Sequence, residues 1–296
     1  MKMKEDMKQT EGSARLGLIS AMFLFGTIGI FVRYIPLPSS VLALVRGVVG
    51  TLFLLLFLKI KKQPLDKGAI KANLWVLCLS GAFIGVNWML LFEAYRYTTV
   101  ATATLCYYLA PVFVIVAAPI VLKEKNSLKK WICALIALVG MVFVSGVAEG
   151  GIPTLGELRG VMLGVGAAVF YASVMLLNKK LKPIGAYDKT ILQLAAAAVV
   201  ILPYALFTEN VTALDWNPLS VCMLAVVGIV HTGIAYALYF GSMTHLKAHT
   251  IAIFSYVDPV VAIILSALIL RESLTPLGIV GAILILGSTL VSELGE

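Results

Sequence analysis

Four ionisable side chains lie inside long apolar runs of this sequence: Arg46, Glu93, His231 and Asp258. A charge near the middle of a bilayer costs at least about 2.5–3.5 kcal/mol, so such residues usually face a cavity or a partner. Asp258 precedes Pro259, and a proline within a helix leaves a carbonyl one turn earlier without its usual donor. This carboxyl could therefore exchange protons or bind polar groups of a solute. The alternative is a buried carboxyl that hydrogen-bonds a neighbouring helix.

Arg46 is the basic residue of this group. It lies about eight residues, or roughly 12 Å, from the outer end of its apolar run, which is too deep for its guanidinium to reach the surface easily. The guanidinium then needs an anion, and the candidates are Asp258, Glu93 or the carboxylate of a bound solute. A fixed ion pair that holds two helices together is the alternative.

Glu93 and His231 are candidates for gating or proton coupling. Glu93 lies near the end of its run, where a carboxylate that simply reaches water is an equal interpretation. His231 lies near the centre of its run, and its imidazole could exchange protons near neutral pH if water reaches it. A neutral histidine that hydrogen-bonds across two helices is the alternative.

Aromatic side chains recur at helical spacing near these residues. Rings with few polar atoms suit a solute that carries an ammonium group or an apolar side chain, although ordinary helix packing also produces a stripe of rings. Tyr95 falls near a predicted membrane surface, where we expect it to act as an interfacial anchor. The candidate rings for solute contact are Trp88, Tyr107, Tyr108 and Tyr236.

Helices that cross a membrane must position these residues. The chain of 296 residues is 60% hydrophobic and 13% charged, whereas a soluble domain carries about 25% charged residues. Its apolar runs have the length of membrane helices and lack the alternation of a membrane barrel, so the predicted fold is all-α, with no room for a separate catalytic domain. Ten spans are predicted, at residues 16–32, 38–58, 73–95, 98–122, 128–147, 157–178, 187–207, 216–240, 246–270 and 274–292.

The basic residues predict the orientation of these spans. Eighteen of the 23 Lys and Arg residues fall in the amino-terminal tail and in alternate connections. The positive-inside rule then places both termini in the cytoplasm. Because the basic residues are spread between apolar runs and form no patch, the net charge of +8 does not indicate a nucleic-acid partner. The expected partners are membrane lipids and a small-molecule substrate, and the expected location is the cytoplasmic membrane of a bacterial cell.

The chain repeats itself at an offset of 148 residues. Residues 107–124 read YYLAPVFVIVAAPIVLKE and residues 255–272 read SYVDPVVAIILSALILRE. Two pairs at this offset are Pro111 with Pro259 and Glu124 with Glu272. This similarity predicts two half-repeats within one membrane domain.

The halves are expected to cover residues 1–148 and 149–296. Because each half holds five spans, the second half enters the membrane from the opposite side, which gives an inverted 5+5 repeat. The paired Pro111 and Pro259 predict helix breaks at corresponding positions of the two halves, a usual mark of a transporter binding site.

These half-repeats resemble the EamA family of the drug/metabolite transporter superfamily. The resemblance runs from Leu16 to Ser292 and includes Arg46 in the second span. It implies a ten-helix inverted repeat that moves small organic solutes, frequently outward, through a cavity between the halves. The second half departs from the first by carrying Asp258 where the first has Ala110.

The predicted function is a secondary transporter of small organic metabolites that works by alternating access in the efflux direction. Amino acids, amines and related zwitterions or cations are the expected substrates, with Asp258 as the candidate for proton exchange. No Walker motif indicates ATP, and no cofactor is expected. The pair His245 and His249 has the i, i+4 spacing that can bind a metal, but no carboxylate or cysteine lies near it, so no metal site is predicted. One alternative is an intramembrane enzyme for lipid-linked substrates, although no catalytic grouping is evident. Another is a sensor that moves no solute.

Overall fold

The computed structural model of the chain describes residues 2–123, 126–146, 148, 154–210, 213–243, 245–272 and 274–294. Regular secondary structure within these residues is helical throughout. The helices are α1 (Lys2–Arg33), α2 (Ser39–Ile60), α3 (Lys67–Tyr97), α4 (Val100–Tyr107), α5 (Ala110–Val121), α6 (Leu128–Val144), α7 (Leu155–Asn178), α8 (Ala186–Thr208), α9 (Pro218–Gly228), α10 (Ala235–Met243), α11 (Ala248–Ser255), α12 (Val257–Ile269) and α13 (Pro276–Glu293). A π-helical segment, Ile229–Ile234, joins α9 to α10.

The described residues contain eight helical stretches that are long and apolar enough to cross a membrane. They are Glu11–Arg33, Ser39–Ile60, Lys67–Tyr97, Val100–Val121, Leu155–Asn178, Ala186–Thr208, Pro218–Met243 and Pro276–Glu293. A shorter apolar stretch covers Ile253–Ile269, and α6 has 17 residues. The chain is an integral membrane protein with several apolar helices. Glu124 of the sequence repeat and Val147 of the fifth predicted span lie outside the described residues.

Two of the predicted spans are broken near a proline. Pro111 lies in the first turn of α5 and Pro259 in the first turn of α12. A proline lacks the amide hydrogen of a helix interior, its ring crowds the preceding turn, and it disfavours helical geometry at the residue before it. The breaks fall at residues 108–109 and at Tyr256, so they occupy corresponding positions in the sequence repeat.

Side-chain caps fix where many of the helices begin. A side-chain oxygen just before the helix accepts a hydrogen bond from a backbone amide of the first turn, which satisfies a donor that has no partner within the helix. The capping residues are Asp66, Thr99, Ser127, Thr154, Asn217 and Thr275. These caps end each connection at a defined residue and so set the register of the helices that follow.

The helices pack mainly across the two predicted halves. Helix α3 packs on α7 and α8, and α2 packs on α8. Helix α1 packs on α10 and α12, while α4 and α5 pack on α7 and α6 packs on α13. Helix α4 also contacts α12. Helix α7 therefore packs against the break between α4 and α5, and helix α1 packs against the break between α11 and α12.

Glycines set the closest helix approaches. A Cβ atom on Gly160 would lie 2.8 Å from the Cβ of Thr98, and one on Gly164 would lie 2.8 Å from the Cβ of Cys106. These small residues on α7 thus let this helix lie close to α4 and to the connection that precedes it, as small residues do in membrane helix pairs.

Replacing Gly81 with alanine is expected to destabilise the α3–α8 contact. The added Cβ would lie 2.5 Å from the carbonyl oxygen of Gln193 and 2.6 Å from the Cβ of Ala196, and overpacking of this kind costs about 1–3 kcal/mol. Thermal unfolding of the detergent-purified protein should show a lower midpoint. Gly287→Ala is the matched control, because a Cβ at Gly287 meets no atom within 4 Å. Equal midpoints for the two variants would contradict this packing.

Candidate functional site

A cavity of about 370 Å³ is lined by residues of α1, α2, α3, α4, α5, α7, α10, α11, α12 and α13. Ligand pockets in proteins usually span about 300–1,000 Å³, so this volume suits a small solute. Seven of the residues singled out in the sequence line it: Arg46, Trp88, Tyr107, Tyr108, Pro111, Tyr236 and Asp258. Residues from both halves of the chain therefore meet at one site.

Arg46 is the buried cation of this cavity, with 4% of its surface exposed. Its Nε donates a hydrogen bond of 3.0 Å to Thr232 Oγ1. The guanidinium carbon stacks 4.1 Å from the ring centroid of Trp88 and 5.3 Å from that of Phe92. Among the described residues, no carboxylate forms an ion pair with Arg46 and no acceptor bonds its two terminal nitrogens. The fork of the guanidinium can therefore bind a planar anion such as a carboxylate.

The π-helical segment positions the acceptor for Arg46. Thr232 Oγ1 donates to the carbonyl of Val227, five residues earlier, at 3.1 Å, which leaves its lone pairs to accept from Arg46. Gly50 on α2 permits this contact, because a Cβ there would lie 2.5 Å from Thr232 Cγ2. Single π turns inside α-helices often occur at functional sites. The segment departs from the continuous helix expected for residues 216–240.

Asp258 lies in the first turn of α12, next to the break at Tyr256, and lines the cavity. Its Oδ2 accepts a hydrogen bond of 2.9 Å from the hydroxyl of Tyr108, at the break between α4 and α5. Gly26 brings α1 against this break, since a Cβ there would lie 2.5 Å from the carbonyl oxygen of Asp258. The acid thus has a neutral hydroxyl as its partner and remains available to a proton or a cation.

Aromatic rings form much of the remaining wall. Tyr107 and Tyr171 have ring centroids 5.1 Å apart, and Tyr108 and Tyr256 have centroids 6.2 Å apart. Tyr236 makes an edge contact with Phe25 at 5.4 Å. Such rings can pack an alkyl chain or bind a cation over their faces.

One end of the cavity is buried and the other is exposed. Tyr95 lies at the buried end with Arg46, and 3% of its surface is exposed. Tyr171 is 38% exposed, and Glu293, the last residue of α13, is also exposed. We infer from these exposures that the cavity opens toward the end of α13.

A polar cluster closes the buried end. Arg33 of α1 donates to the backbone carbonyl of Tyr95 and forms an ion pair of 3.1 Å with Glu272. Glu272 also accepts hydrogen bonds from the amide of Val100, at 2.8 Å, and from the hydroxyl of Ser266, at 2.7 Å. This cluster joins the ends of α1, α3, α4 and α12 beyond the cavity.

The structure places Glu93 and His231 outside the cavity lining. Glu93 accepts a hydrogen bond of 2.6 Å from Ser39 and lies 3.8 Å from Arg96, and its side chain is 29% exposed. This geometry matches a carboxylate at a helix end. His231 is buried, with Nε2 at 2.8 Å from Thr27 Oγ1 on α1, which matches a hydrogen bond between helices.

Several cavity residues were missed in the sequence or given another role. Tyr95 lines the cavity and is 3% exposed, so its side chain does not lie at the protein surface as an interfacial anchor would. Tyr256 also lines the cavity, and its position 148 residues after Tyr108 could have marked it. Glu293 lines the open end, but its position after the last apolar run gave no signal. Pro259 lies beside the site within α12.

Comparisons with known proteins identify relatives along nearly the whole chain. The model of the EamA-like transporter family matches residues 13–146 and again residues 158–293. The uncharacterized transporter YxxF of Bacillus subtilis (strain 168) is 32% identical over 258 residues, covering 86% of this chain and 81% of YxxF. Protein RarD of Escherichia coli (strain K12) is 24% identical, covering 88% and 86%. A crystal structure with 18% identity and a TM-score of 0.66 covers 96% of this chain and 97% of its own, and shows a shared fold.

Proposed function

The chain belongs to the EamA-like transporter family, and from that premise we propose that it is a secondary transporter that carries small zwitterionic metabolites out of the cell. The observation that carries this proposal is the buried guanidinium of Arg46, which lines a cavity and makes no ion pair with the described residues. A permanent positive charge buried in this way is energetically costly unless a bound anion pairs with it. As a transporter, the protein releases its solute chemically unchanged.

The architecture that we propose is ten spans in an inverted 5+5 repeat. The family model matches the chain twice, once in each half. Exchanging each helix for its counterpart turns the α3–α7 contact into the α10–α1 contact, the α4–α7 contact into the α11–α1 contact and the α5–α7 contact into the α12–α1 contact. The α6–α13 and α2–α8 contacts map onto themselves. This pattern supports a two-fold relation between the halves, and the distribution of Lys and Arg supports cytoplasmic termini.

Amino acids and related amines are the proposed solutes. Arg46 would bind the carboxylate, because no described residue forms an ion pair with its guanidinium, which lies over the ring of Trp88. Asp258 would bind the ammonium group, because its hydrogen-bond partner is the neutral hydroxyl of Tyr108. The tyrosine rings would pack the rest of the solute.

Proton exchange is the proposed driving reaction. A proton and the ammonium group of the solute would compete for the same carboxylate of Asp258, and this competition couples proton entry to solute exit. The cavity opens toward the end of α13, which the proposed orientation places in the cytoplasm. With this orientation, an opening at the end of α13 supports a proposed state in which solute loads from inside the cell.

Counterflow in proteoliposomes tests the proposal. Vesicles loaded with an unlabelled amino acid should accumulate the same labelled amino acid transiently, whereas protein-free vesicles should not. A panel of neutral, acidic and basic amino acids and their decarboxylated amines covers the proposed class. The absence of saturable counterflow for every member would overturn the proposal, and binding without flux would favour a sensor.

A further inference from the structure

We propose that the preferred solute carries one carboxylate and two cationic groups, as basic amino acids do, and that Glu293 binds the second cation. This inference rests on the proposed function and names the substrate class of the same cavity. Glu293 directly follows the last predicted span, residues 274–292.

The charges on the cavity wall support this substrate class. Among the described residues that line the cavity, the charged side chains are Arg46, Asp258 and Glu293. Charges that meet in a site of low dielectric are stabilised when the ligand carries the complementary set. A solute with one carboxylate and two cations complements one guanidinium and two carboxylates.

The surroundings of Glu293 leave it available to a ligand. Its carboxylate forms no hydrogen bond or ion pair with the residues that the structure describes. It is exposed at the open end of the cavity, whereas Arg46 is buried at the closed end. The solute would therefore enter with its carboxylate first and leave its side-chain cation near Glu293.

The wall of the cavity suits an alkyl chain between the two ends of such a solute. Met22, Met175, Tyr171 and Tyr239 line the cavity with Glu293. Thioether side chains adapt to flexible apolar groups, and tyrosine faces attract cations. A neutral amino acid would fill the Arg46 end but would leave Glu293 without a partner.

Competition for counterflow tests the inference with three probes: lysine, leucine and cadaverine. Lysine has the full set of charges, leucine lacks the second cation and cadaverine lacks the carboxylate. We expect wild-type protein to prefer lysine to both. In Glu293→Gln the preference for lysine over leucine should fall about fivefold, because a partly exposed ion pair changes binding by about this factor.

Two further variants control for indirect effects. Glu293→Asp keeps the charge and should keep the preference for lysine. Glu11→Gln removes an exposed acid that pairs with Arg15 and lies outside the cavity, so it should match the wild type. An unchanged lysine preference in Glu293→Gln, or equal competition by cadaverine and lysine, would overturn the inference. If the inference fails but the wild type still shows counterflow of leucine, the proposed transport function stands. If the wild type shows no counterflow with any probe, the proposed transport function is overturned as well.

Discussion

Arg46→Gln is expected to reduce transport of carboxylate-bearing solutes by about 10- to 100-fold. A charge-assisted hydrogen bond contributes about 1.5–3 kcal/mol, and glutamine has neither the charge nor the two parallel donors of a guanidinium. Initial counterflow rates across a range of solute concentrations would measure the change as a ratio of kcat/KM.

Two variants make the Arg46 result specific. Arg46→Lys keeps a positive charge but loses the planar fork and the contact with the ring of Trp88. Its transport rate should therefore lie between those of the wild type and Arg46→Gln. Arg96→Gln alters a half-exposed arginine near Glu93 and should transport normally. Wild-type rates in Arg46→Gln would show that this guanidinium binds no solute.

Asp258→Asn is expected to abolish accumulation driven by a proton gradient, while exchange without a gradient continues at a lower rate because the amide oxygen binds the ammonium group of the solute more weakly than a carboxylate does. Asparagine has nearly the same shape and keeps an oxygen that can accept from Tyr108, but it cannot bind and release a proton. At one-for-one exchange, a pH difference of one unit can drive about tenfold accumulation. Measurements in inverted vesicles with an acidic interior should show this accumulation for wild type and none for the variant.

The neighbouring tyrosine supplies the control for Asp258. Tyr108→Phe removes the hydrogen-bond donor and leaves the acid in place, so gradient-driven accumulation should persist at a lower rate. Continued gradient-driven accumulation by Asp258→Asn would exclude this carboxyl as the proton carrier.

The fold was largely predictable because lipid imposes a severe cost on polar groups. Apolar runs broken at charges predicted helices in the right places, and the paired Pro111 and Pro259 predicted the breaks that line the site. The same cost identified Arg46 and Asp258, since a charge that persists within such a run needs a cavity or a partner. The cluster of aromatic residues added Tyr108, which lies at one of these breaks.

The direction of each side chain was not predictable from depth alone. Glu93 and His231 have suitable depth, but they point to Ser39 and Thr27 and not into the cavity. The π-helical segment changes the facing of its residues by inserting one extra position, which apolar periodicity does not reveal. Glu293 reaches the cavity because α13 extends beyond its apolar run.

Access to the cavity from both sides of the membrane tests the central claim most directly. A single cysteine, Ile84→Cys, would report on the cavity wall, in a protein whose native cysteines (Cys78, Cys106, Cys133 and Cys222) are replaced by serine. A membrane-impermeant thiol reagent should label this cysteine both in intact cells and in inverted vesicles, with a transported solute changing the ratio of the two. Labelling from one side alone, whatever solute is present, would contradict alternating access.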